Sequence, residues 1–209
     1  MKITDLLLRK PLGIIGRNIR PYLVLNLLTY GLLILGLILG YFFPSIAKAS
    51  VDAMASVSSL SPAQGGVMAT IDSGNAPTLA VIILIANLCF GALGMATLPS
   101  LLIPFSGIVI HALFAGFLGL TYAPYEGWDV LLPHSLTLLI ELQAYIVLML
   151  GAYLLGKYVL SPQANGFTSR WAGYKHGLVE TAWLYIPAIV LLILGAIYEG
   201  FEVVALLSN

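Results

Sequence analysis

One apolar run with ionisable residues set inside it constrains this chain more than any other feature. Between Leu131 and Gly156 the sequence reads LLPHSLTLLIELQAYIVLMLGAYLLG. A helix of about 20 apolar residues crosses the hydrocarbon core of a bilayer, and this run is longer. His134 and Glu141 stand at i and i+7, two turns apart on one helical face, and Thr137 and Tyr145 fall on that face too. Such groups are costly at membrane depth, so the stripe must pack against other helices or line a wet cavity. The rest of the chain has to supply that company.

Composition supports a membrane location. Of the 209 residues, 60% are hydrophobic and 9% charged, against about 25% charged in an ordinary soluble domain. There is too little polar material to build a water-facing surface. Net charge is zero, and no basic cluster is interleaved with aromatics, so nucleic acid is excluded as a partner. The single cysteine, Cys89, lies in an apolar run and reads as a buried small hydrophobe. No Cys/His spacing suits a metal, and no cofactor motif is present.

The expected architecture is an all-α integral membrane protein, a single membrane domain over 1–209. It has five transmembrane helices and an N-terminal interfacial amphipathic helix. Residues 1–20 carry Lys2, Arg9, Lys10, Arg17 and Arg20 among apolar residues that break at Pro11, which predicts a short helix lying on the membrane. The first span, about 22–43, is full length after this basic segment and should be retained rather than cleaved as a signal. Its Gly36 and Gly40 form a GxxxG pair that lets another helix approach. Residues 44–77 form an outer loop with one short helix, striped by Ile46, Val51, Met54, Val57 and Leu60. SPAQGG and SGNAP read as loop after it.

Span 2, about 79–98, places Asn87, Gly91 and Gly94 on one α-helical face. Pro99 and Pro104 leave a very short connection to span 3, about 101–122, where Gly107, His111, Ala115 and Gly119 form a narrow groove. Tyr122, Tyr125 and Trp128 fit an interfacial aromatic belt. Span 4 covers about 133–157. Span 5 covers about 182–207, with Glu199 and Glu202 shortening its apolar part. With the N-terminus inside, eight of the nine basic residues fall on the inner side, Lys48 being the exception. That predicts a cell-membrane protein with a cytoplasmic N-terminus and an outside C-terminus.

The candidate polar network is Asn87, His111, His134, Thr137 and Glu141. An isolated Glu141 at this depth needs a donor, and Asn87, His111 and Asn26 are the available partners. HGLVE, from His176 to Glu180, lacks the second imidazole of HExxH and reads as an interfacial ion pair. There is no GxSxG and no GxxxxGK[ST], so no enzyme class is indicated and any energy coupling must come from a partner or an ion gradient.

Asn87 followed by glycines, Pro133-His134 opening a helix, Glu141-Leu142, and a last helix closing on Ile197-Tyr198-Glu199 together resemble the stage II sporulation protein M family. The likeness extends over roughly 10–205. Ser135 stands where that family has Gly, and Glu141 follows His134 by two turns instead of one. A third group or water is therefore expected between them. The resemblance implies a membrane scaffold or subunit that assembles with other membrane or envelope proteins, a transporter among them, and that is surrounded by lipid and prone to homo-oligomerise. The polar stripe favours an alternative, a transporter or channel component. An intramembrane hydrolase or peptide-maturation factor is a third reading. Convergence of Asn87, His134 and Glu141 on a cavity favours transport or chemistry, and convergence on a dry seam favours scaffolding.

Overall fold

In the computed structural model the described residues are 3–59, 64–129 and 131–207. Lys2, Leu60 and residues 61–63 of the predicted loop lie outside them. The described chain is helical and holds no strand. Helix α1 is Ile3–Arg17, α2 Ile19–Phe42, α3 Pro44–Ser59, α4 Gln64–Asp72 and α5 Ala76–Ala86. The chain continues as a π-helix over Asn87–Thr97 into α6, Leu98–Leu102. Then come α7 (Ser106–Thr121), α8 (Leu131–Leu160) and α9 (Arg170–Leu207).

Among the described residues four helical stretches are long and apolar enough to cross a membrane: Ile19–Phe42, Ala76–Leu102, Leu131–Leu160 and α9. This makes the chain compatible with a multi-pass membrane protein. Their outward faces carry large exposed apolar side chains, among them Leu27, Phe90, Leu102 and Leu194, which lipid solvates and water does not. The predicted third span is shorter than expected. Helix α7 has 16 residues, about 24 Å at 1.5 Å per residue against a core of about 30 Å. The preceding helix takes the residues it lacks by running on through Pro99 to Leu102. The turn then falls at 103–105, where Phe105 is left-handed at φ 68°. The Ser100 hydroxyl accepts the Gly107 N–H at 2.9 Å and braces this turn.

Other expectations change in similar ways. Helix α1 passes through Pro11 without ending. The 44–77 segment holds two helices, because Gln64–Asp72 is helical where a loop is predicted. The last helix begins at Arg170, well before residue 182. Cys89 is exposed on the outer face of the π-helix, not buried.

Helix α8 is the axis of the bundle. Of its most apolar 18-residue window 72% is buried, against 22–28% for the other three long stretches. Side chains buried all round it, Leu142, Ile146, Leu148, Met149, Leu150 and Leu154, form the core. Helix α9 packs along it, α2 and α7 pair on another flank, and α5 leans on α9.

The α2–α7 crossing depends on absent side chains. A Cβ at Gly36 would meet the Gly116 carbonyl, and one at Gly119 the Leu33 carbonyl. Gly40 abuts Ala123, and Gly107 abuts the Ala96 carbonyl. The Gly36, Gly107 and Gly119 clashes are with backbone, which cannot rotate away. Gly119→Leu should therefore lower the thermal stability of the detergent-solubilised protein by the equivalent of about 1–3 kcal/mol or more. Gly31→Ala, whose Cβ meets nothing within 4 Å, should leave the melting temperature unchanged or raised.

Candidate functional site

The polar stripe of α8 finds its partners chiefly on α9. Glu199 and Glu202 stand at i and i+3 on α9 and present both carboxyl groups to α8. Thr137 donates its hydroxyl to Glu202 Oε2 at 3.1 Å. His134 Nδ1 lies 3.4 Å from Glu202 Oε1, and both side chains are nearly enclosed. The His134 ring stacks on Tyr122 with centroids 4.7 Å apart. Two turns along α8, Glu141 accepts a close hydrogen bond from Asn87 Nδ2, and the Glu199 carboxyl group lies next to it. Two neighbouring carboxyl groups repel when both are charged, an arrangement that sharing one proton relieves. Two polar clusters, His134 and Thr137 with Glu202, and Asn87 with Glu141 beside Glu199, thus lie along the α8–α9 contact, one turn apart on α9.

Local structure explains how each group is placed. Gly195 makes room for Glu141, since a Cβ there would come within 3.0 Å of Glu141 Cγ. Asn87 opens the π-helix. The altered winding is visible in the Leu98 N–H, which bonds back to the Leu93 carbonyl, and in the Thr97 hydroxyl, which donates to the Ala92 carbonyl at 3.0 Å. Tyr185 on α9 also donates to that carbonyl at 3.2 Å. A π-segment in a helix is frequently a functional feature. It also rotates Gly94 off the expected face: Gly94 is exposed, while Gly91 stays buried against the Tyr145 hydroxyl.

These groups border a cavity of about 500 Å³. His134, Glu141, Glu199, Asn87 and Tyr122 supply its polar lining, and Phe90, Phe114, Tyr145, Met54 and Met95 its aromatic and thioether walls. Helices α3, α5, α7, α8 and α9 and the π-helix all contribute, so the cavity exists only in the assembled bundle. No three His, Cys, Asp or Glu side chains among the described residues are grouped to hold a metal ion.

Of the predicted network, Asn87, His134, Thr137 and Glu141 come together and His111 does not. His111 is fully buried behind Tyr145, 4.8 Å between ring centroids, and neither nitrogen has a hydrogen bond of good geometry. The Gly107 carbonyl one turn back is in reach of the ring without aligning to it. Asn26, also considered for Glu141, donates instead to the Tyr22 carbonyl of its own helix at 2.8 Å. Glu202 and Tyr122 join the site although no sequence motif assigns them to it, and Glu199 is indicated by the family likeness alone. Their signals were the i, i+3 carboxylate pair near the end of α9 and an aromatic at the end of α7. Comparison of the sequence with protein-family models, curated proteins and solved structures returns no match.

Two substitutions separate the satisfied groups from the unsatisfied one. Thr137→Val keeps the shape and removes the donor to Glu202, so it should destabilise the solubilised protein by about 1–3 kcal/mol. His111→Phe removes an unpaired polar ring from an apolar site and should leave the melting temperature unchanged or higher. A sharp loss in His111→Phe would show that the imidazole has a partner.

Proposed function

We propose that this chain is a membrane transport component whose Glu141–Glu199 carboxyl pair exchanges a proton for a small cation in the adjoining cavity. The observation that carries this reading is convergence: three carboxyl groups, an imidazole and a carboxamide face or adjoin one cavity, where a dry helix seam would have favoured a scaffold. Intramembrane ionisable groups of this kind mark ion pathways and proton relays. When the cavity is empty the shared proton keeps the pair at one net charge. A cation entering between aromatic walls takes that proton's place, and the proton leaves along Glu202 and His134.

The topology that goes with this reading has α7 as a fifth, short span and α1 lying at the inner interface. The N-terminus is cytoplasmic, the C-terminus is outside and the host is the cell membrane. The positive-inside distribution of Lys and Arg supports that orientation. The likeness to the stage II sporulation protein M family supports assembly with other membrane proteins, including transporters. The Gly36 and Gly119 faces are already spent on the α2–α7 contact, so partner helices would dock elsewhere.

The proposal makes a chemical prediction that needs no knowledge of the solute. A hydrophobic carbodiimide adds to protonated carboxyl groups. It should label Glu141 or Glu199, with the adduct mapped by mass spectrometry, and monovalent cations should protect against it. In proteoliposomes carrying an internal pH dye, an external cation pulse should release protons, and Glu141→Gln should abolish the release. Unlabelled glutamates, or identical traces from the parent protein and Glu141→Gln, would overturn the reading.

A further inference from the structure

At the opposite end of α9 lies a second, separate polar site. Helix α1 packs across the first turns of α9. Between them is a groove of about 420 Å³ lined by Arg9, Lys10, Arg17, His176, Glu180 and Trp183. Glu180 is buried and heavily engaged. It accepts from Arg17 Nη2 at 3.0 Å and from the Tyr158 hydroxyl at 2.8 Å, and His176 Nε2 lies 3.6 Å away. This network anchors the wall of the groove and, among the described carboxylates, none pairs with its other cations. Arg9 makes no ion pair with a described carboxylate, and Lys10 sits 4.8 Å over the Trp183 ring. Arg9, Lys10 and Arg17 thus face one described carboxylate, Glu180, with which Arg17 is already paired.

We infer that this groove binds the phosphate headgroup of an acidic phospholipid. Position argues for lipid over a soluble anion. Helix α9 has 38 residues, about 57 Å at 1.5 Å per residue, while a bilayer core takes about 30 Å. Its predicted apolar stretch starts at residue 182, so Arg170, Lys175, His176 and Glu180 fall at headgroup level. Trp171 and Trp183 stand there as interfacial aromatics do. Val179, on the groove wall, is exposed and apolar, which suits the start of an acyl chain. Basic pockets between helices at this level are suited to anionic headgroups. Gly13 lies in the groove, where a Cβ would meet only Arg17 Nη1 at 3.8 Å, so the groove is open at that point.

The test uses the full chain in nanodiscs of mixed phosphatidylglycerol and phosphatidylcholine, followed by native mass spectrometry of retained lipid. The parent protein should retain phosphatidylglycerol preferentially. The double variant Arg9→Gln/Lys10→Gln should bind it about tenfold more weakly or worse, since each basic residue near the surface adds attraction. Gly13→Leu should cause a similar loss with every charge intact, because it fills the groove. Leu suits a helix better than Gly, so folding should hold, and the exposed Arg9 and Lys10 provide the second route if it does not. Equal retention of the two lipids by the parent protein would sink the inference. So would full retention by Gly13→Leu, which would reveal diffuse surface charge instead of a groove. Displacement of the lipid by millimolar inorganic phosphate would reassign the groove to a soluble anion and overturn the lipid assignment.

Discussion

The structure depends on one constraint: a helix buried on nearly all sides must still satisfy the polar groups it carries. Helix α8 is enclosed along most of its length, so Thr137 is shut off from water and headgroups, and Glu141 meets open space only at the cavity. Each group needs a partner from a neighbouring helix, and leaving one unpaired there costs on the order of 1–3 kcal/mol. Helix α9 supplies most of them through Glu199 and Glu202, and the start of the π-helix supplies Asn87. The polar line therefore fixes the register of α9 against α8, while Gly195 and buried Ala188 let the two backbones approach.

Helix α9 is tied at both ends by different chemistry. Near its beginning, Glu180 joins α1 through Arg17 and α8 through Tyr158. Near its end, Glu199 and Glu202 join α8 and the cavity. Between these points Leu184, Ala188 and Leu192 are wholly buried. A single long helix with carboxylates at two levels links the proposed cation site to the proposed lipid groove, about 19 residues or 28 Å apart along the axis.

Much of this was legible residue by residue. The run from Leu131 to Gly156 marked the central helix, and its i, i+7 stripe marked the face that meets α9. The need of a buried carboxylate for a donor left Asn87, His111 and Asn26 as candidates for Glu141, and the packing selects Asn87. The two-turn gap between His134 and Glu141 called for a third group, and Glu199 and Glu202 fill it. His111 misled because a histidine in a span invites a partner, yet its ring packs on Tyr145 instead. Gly94 misled because α-helical spacing was assumed where the backbone winds as a π-helix, and no side-chain pattern in NLCFGALGMAT announces that winding.

Sequence by itself determined the medium and the building units. Apolar runs of spanning length with few charges can bury their backbone polarity in lipid only as helices, and that follows from composition and length alone. Tertiary structure decided which faces meet. Whether Glu202 lies beside His134, whether α6 or α7 takes Leu101 and Leu102, and whether the polar stripe borders a cavity or a seam depend on packing among helices far apart in sequence. Helix periodicity places a side chain on a face, but only the crossing angles and close approaches set by glycines such as Gly36, Gly119 and Gly195 determine what that face touches.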